Sequence, residues 1–202
     1  YQYYYFKQRD QYLKRNINMN KDFQNIINQY RTGQLEDFQI RNQSFSTGTI
    51  ANEALELSVF INVNFLDVNF TNVDFAFSFF TDCSLQNCIF DRTLLRDAQF
   101  RNCSLKNCCL RNCNLIKVDF RETTFDKCSF EKAETVSLAQ AWFESCHFLE
   151  TNFNGFGIVP LIETAVVDSK FSKFNKSIEF KGEFFLIDIL HPNNGLEGMF
   201  IE

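Results

Sequence analysis

Glycine and proline are scarce in this chain, seven and two among 202 residues. The crossovers and phosphate loops of a compact α/β enzyme draw on both, so that class is disfavoured. Histidine is nearly absent, with only His147 and His191. Neither has an Asp or Ser placed to complete a triad, and no GxGxxG, phosphate loop or HExxH occurs. The sequence therefore predicts a protein that is not an enzyme and that needs no cofactor. Long hydrophobic runs are missing too. FGIVPLI (156–162) and FFLIDIL (184–190) are far too short to cross a bilayer, and no secretory signal is expected within these residues. The sequence begins with Tyr1 rather than Met, and membrane contact is expected only through a segment preceding it.

Charge is unevenly placed. Residues 1–34 carry six Lys and Arg against two Asp, whereas residues 60–130 are balanced at eight against eight. A nucleic-acid groove needs a concentrated basic stripe, and the balanced middle excludes one.

What the chain has in abundance is phenylalanine, 26 residues, and most of it recurs at a period of five. Every fifth residue from Phe60 to Phe130 is Phe or Leu, fifteen in succession. Two residues before each lies a small one, from Ser58 and Val63 through Cys83, Cys88, Cys103, Cys108 and Cys113 to Cys128. The other three columns are mostly Asn, Asp, Arg, Lys, Ser and Thr. Helices and plain strands have periods of 3.6 and 2.0, so neither explains the pattern. The backbone must return to the interior every five residues.

NCSLK, NCCLR and NCNLI (102–116), with NVNFL and DVNFT (62–71), resemble the pentapeptide-repeat family, and the resemblance covers about residues 38–153. It implies an all-β, right-handed, four-sided β-helix solenoid with four repeats per coil and six to seven coils. The expected organisation is a basic, aromatic tail over 1–19, a capping helix over 20–34, the repeat solenoid over 35–180 and a C-terminal cap over 181–202. Within the solenoid a slip is expected near 131–137 and a loop near 154–166. NKDFQNIINQYRTG (20–33) carries an apolar face at Phe23, Ile26, Ile27 and Tyr30, with Asn20 as N-cap and Gly33 as stop. The dense run EFFLIDIL (183–190) is expected to cap the last coil or to make a dimer contact.

FRNCSLKNCCLRNCNL (100–115) crowds four cysteines into sixteen residues, but without a CxxC pair or a nearby His. Metal binding is not expected. Four repeats per coil stack residues twenty apart, so Cys83 lies under Cys103, and Cys88, Cys108 and Cys128 form a ladder of buried thiols. Cys109 falls between the columns and should face outward. Thiols explained by repeat position point to a reducing compartment, cytoplasmic or inside an organelle.

A filled interior leaves recognition to the outer surface and the ends. The candidate interaction residues are Tyr3, Tyr4, Tyr5 and Phe6 in the tail, and Arg96, Arg101, Arg111 and Arg121 on the sides. Two functions follow. The first is a non-catalytic scaffold that binds another protein, as a monomer or end-to-end dimer, or as a structural subunit of a larger assembly. The second, implied by the resemblance, is a topoisomerase protector similar to the quinolone-resistance members, in which a DNA-like surface engages gyrase.

Overall fold

The structure, a computed structural model, describes residues 19–131, 140–149 and 151, together with five strands beyond them at Ile158–Pro160, Thr164–Val167, Lys170–Ser172, Glu179–Lys181 and Phe184–Ile187. Short parallel strands stack with partners twenty residues apart, as in Phe60↔Phe80 and Leu85↔Leu105. Four such stacks enclose one core. The first face is centred on Ile40, Phe60, Phe80, Phe100, Phe120 and Phe143, and the second on Phe45, Phe65, Leu85, Leu105, Phe125 and Phe148. The third is centred on Ile50, Phe70, Phe90, Leu110 and Phe130. The fourth, around Leu55, Phe75, Leu95 and Leu115, is held by single bridges that link Ala54, Asp74, Leu94 and Asn114. This is a four-sided β-solenoid, and all fifteen Phe and Leu of the column from 60 to 130 are buried.

Rings pack in two ways, both set by the backbone. Along the axis they stack nearly parallel: Phe80 and Phe100 are 4.5 Å apart at 2°, Phe60 and Phe80 4.7 Å at 12°, and Phe70 and Phe90 4.8 Å at 21°. That spacing is the strand separation of a sheet, which leaves successive rungs no other choice. Around one coil the rings meet edge to face, as with Phe65 and Phe70 at 79° and Phe75 and Phe80 at 83°. Edge-to-face contact suits the aromatic quadrupole.

The helix Met19–Arg31 covers the open N-terminal end. It begins one residue earlier than expected, so Asn20 lies inside its first turn. Phe23 and Ile27 are buried in the core, and Ile26 and Tyr30 pack against it. The C-terminus closes with Gly33 at φ +71° and a bond from Gln34 N–H to the Gln29 carbonyl, a Schellman arrangement. The helix is pinned to the first coil by an ion pair of 2.6 Å between Arg31 and the buried Glu53. Glu53 occupies a small-column position that faces the helix. We expect Arg31→Ala to strand that carboxylate and cost about 1–3 kcal/mol in a urea melt, while Glu53→Ala in the same background restores part of the loss.

The five-residue frame breaks downstream of Phe130, where the sequence expects a slip and a loop. Phe143 pairs with Val166, and Phe148 with Phe171, so this coil spans 23 residues. The stretch expected as a loop at 154–166 contains the strands Ile158–Pro160 and Thr164–Val167. β-branched residues keep the parallel ladder going although the Phe column has lapsed. Phe184–Ile187, in the stretch expected as a cap, pairs with Thr164–Val167 as the eighth strand of the first face.

Candidate interaction surface

Each coil turns its corners with the second residue after the large one. From Asn42 to Lys127 all eighteen of these residues have positive φ, as do Gln140 and Ser145 further on. Left-handed backbone disfavours side chains other than Gly, Asn and Asp. Eleven of the eighteen are Asn or Asp, which is how a rod with so many corners manages with so little glycine.

The same side chains form ladders. Nδ2 of Asn62 donates to Oδ1 of Asn42 at 2.8 Å, Asn87 to Asp67 at 2.8 Å, Asn102 to Asp82 at 2.7 Å and Asn107 to Asn87 at 3.0 Å. Glu122 holds the next corner above Asn102. We expect Glu122→Asn to extend that ladder and relieve its corner, raising stability by about 1 kcal/mol in thermal or urea melts.

The small column carries hydrogen-bond donors as well as filling space. Sγ of Cys83, Cys88, Cys103, Cys108, Cys113 and Cys128 each lies 3.3–3.5 Å from the carbonyl oxygen of a large residue in the preceding coil. Thr93 and Thr123 make the same bond through their hydroxyls. All eight thiols are free, and all but Cys109 are buried. The Cys108 thiol is pushed up to about 12, by its contact with Cys128 first and then by burial. Burial pushes Cys113 and Cys146 up to about 12. Cys88 and Cys103 are raised further, each by the adjacent thiol of its ladder and then by burial.

Outward side chains stand in rigid rows. Arg121 stacks on Arg101 as the repeat requires, and the two find different partners. Arg121 reaches Asp119 at 2.9 Å and Glu144 at 3.2 Å, and the Asp119 bond raises its pKa. Arg101 donates to Oε1 of Gln99 at 2.9 Å. Arg111 reaches Asp91 at 3.2 Å. Burial opposes the charge of Asp91, but hydrogen bonds from Asn112 and Arg111 outweigh it and hold its carboxyl below the usual range. Arg96 pairs with Asp97 at 3.4 Å and lies 5.2 Å above the Phe77 ring. Tyr3, Tyr4, Tyr5 and Phe6 lie outside the described residues. The four arginines do not converge: Arg101 and Arg121 lie on the first face, Arg111 on the third, and Arg96 at the corner beside the fourth.

One surface feature has no counterpart among the expected residues. The segments entering the first face read DFQIR, LSVFI, FSFFT, DAQFR and KVDFR, starting at 37, 57, 77, 97 and 117. In the second and third of these the outward positions turn apolar. Leu57 is 61% exposed and Phe77 40%, with Val59, Ile61 and Phe79 half-buried beside them. The sequence shows this break, but reading the outward columns as polar hid it.

Among the described residues no helix is long and apolar enough to cross a membrane, and no group of three His, Cys, Asp or Glu residues could hold a metal.

Coils of four five-residue sides around a stacked Phe/Leu column define a β-solenoid of pentapeptide type. The family model for pentapeptide repeats matches residues 78–115 and 110–134, in eight copies, so the central coils are built of pentapeptide repeats. Among solved structures it is similar to full-length QnrB1, a plasmid-mediated fluoroquinolone resistance protein, at 17% identity over 77% of this chain and 84% of that one, with a TM-score of 0.45. It is also similar to HetL from the cyanobacterium Nostoc, a pentapeptide repeat protein involved in heterocyst differentiation regulation, at 12% identity over 87% and 94%, with a TM-score of 0.31. A third is Rfr23 from the cyanobacterium Cyanothece, at 12% identity over 85% and 97%, with a TM-score of 0.27. No curated protein matches this chain.

Proposed function

We propose that this protein is a non-catalytic scaffold: a stiff rod that binds another protein through its outer faces in a reducing compartment. The observation that carries this reading is the interior. Residues of the large column from Phe60 to Phe130 are buried and in mutual contact, so chemistry and recognition are left to side chains fixed on flat outer walls. Such walls suit recognition of a surface, because stacked corners and Asn ladders hold the rows in register without the entropy loss of ordering a loop.

The described coils favour this reading over a DNA-like one. Among the described residues no side of the rod is continuously acidic. The coil from Ala98 to Val118 contains Arg101, Lys106, Arg111 and Lys117 and no acid, while its neighbours on either side carry acids.

The chain used as bait in its native source should recover one defined protein partner. Arg101→Glu with Arg111→Glu, which leave the core intact, should reduce that recovery at least tenfold. Unchanged recovery with the double variant would move the contact off these faces. Relief of quinolone inhibition of gyrase by the purified rod would favour the topoisomerase-protecting function instead.

A further inference from the structure

We propose that the apolar patch formed by Leu57, Val59, Ile61, Phe77 and Phe79 is a docking site for this chain's own N-terminal aromatic segment, YQYYYF.

Two independent costs fall on the same corner. Leu57 and Phe77 expose large apolar side chains, and both hold left-handed backbone, at φ 60° and 59°. The next corner of the same stack, Asp97, carries a residue suited to that backbone. Bulky side chains at such positions are uncommon without a compensating contact.

The patch covers two rungs and five residues, roughly 10 Å by 17 Å. Its footprint, on the order of 200 Å², is far below the ~800 Å² per partner that a stable protein–protein interface buries, which disfavours a second copy seated there alone. A short extended segment fits it. Leu57, Val59 and Ile61 present alternate side chains about 7 Å apart, and an extended YQYYY would present Tyr1, Tyr3 and Tyr5 at the same interval.

Reach and charge agree. The helix that follows the segment starts at Met19, on the end of the rod where the patch lies. Residues 7–18 can span about 40 Å, against the few rungs that separate that end from the patch. Lys7 and Arg9 follow the aromatic cluster and Glu56 borders the patch, while Asp97 is already paired with Arg96, which lies over the Phe77 ring. A partner protein that captures the tail would then have to lift it from the rod.

The test is limited proteolysis of the full chain with trypsin, following cleavage after Lys7 and Arg9 by mass spectrometry. Leu57→Asn with Phe77→Asn introduces side chains that suit both corners, so the rod itself should melt no lower than the parent. If the segment docks, this double variant speeds both cleavages about tenfold, in proportion to the freed population. Tyr3→Ser with Tyr5→Ser, which leaves the rod untouched, should do the same. Equal cleavage rates in all three chains would overturn the proposal. So would a parent that sediments as a dimer and a Leu57→Asn, Phe77→Asn chain that sediments as a monomer, since a second copy would then be the occupant.

Discussion

Phe100→Asp is expected to leave the chain without a cooperative unfolding transition. Phe100 is 1% exposed and lies between Phe80 at 4.5 Å and Phe120 at 4.8 Å, so a carboxylate there would have neither water nor a cation. Phe100→Ala, which only opens a cavity, should cost about 3–5 kcal/mol. Stacking makes the loss regional, because the rings above and below lose a face each. The five-residue frame would make Asp at Asn102 an almost silent control, but the structure corrects this. Asn102 donates to Oδ1 of Asp82 at 2.7 Å, and a carboxylate there would face another. Ser104, exposed on the second face, is the proper control, and Ser104→Asp should leave the urea midpoint nearly unchanged. Urea melts followed by circular dichroism distinguish these outcomes. Similar midpoints for Phe100→Asp and Ser104→Asp would refute the frame.

The second large effect is alkaline destabilisation. Four thiols, Cys88, Cys108, Cys113 and Cys146, are held protonated well above the ordinary thiol range, whereas in the Cys83–Cys103 pair one thiol is raised and the other lowered. The folded pKa values of those four are raised, so their contribution is fully present below the unfolded value near 9 and is lost as pH climbs from there toward 12. Above pH 9 the unfolded chain releases these protons and the folded rod keeps them, which costs about 1.4 kcal/mol per thiol per pH unit. By pH 10 the four together cost on the order of 6 kcal/mol, against a typical total stability of about 5–15 kcal/mol. The urea midpoint should therefore collapse between pH 9 and 10.5. Cys113→Val puts a side chain there that the small column already uses at Val63, Val68, Val73 and Val118, and should reduce the slope by about a quarter. A midpoint that stays flat to pH 10.5 would mean that these thiols reach solvent in the native state.

The central coils were legible because one physical constraint, a return to the interior every five residues, writes the same letters fifteen times from Phe60 to Phe130. The cysteine ladders followed from arithmetic on that frame. What stayed hidden is chemistry that repeats without a distinctive letter. Asn at 42, 62 and 102 reads as any polar outward residue until the backbone shows left-handed corners and amides in register. Cys, Ser and Thr in the small column look merely small, and their bonds to the coil below appear only in three dimensions. Beyond Phe153 the letters lapse while the backbone ladder continues, because Thr164–Val167 can pair without a Phe at its centre. On the outer walls the frame gives the position of Arg96, Arg101, Arg111 and Arg121 but not their partners, which depend on rotamers and on polar groups in the same coil or the adjacent one.

Thiol labelling of the native protein tests the frame most directly, because seven cysteines sit in the small column and one does not. A small maleimide at pH 7.5, with digestion and mass spectrometry at timed intervals, should modify Cys109 within minutes. Cys83, Cys88, Cys103, Cys108, Cys113, Cys128 and Cys146 should stay unmodified until denaturant is added. Rapid labelling of Cys103 or Cys108 alongside Cys109 would contradict the account, since a solenoid with this register has no conformation that exposes them and stays folded.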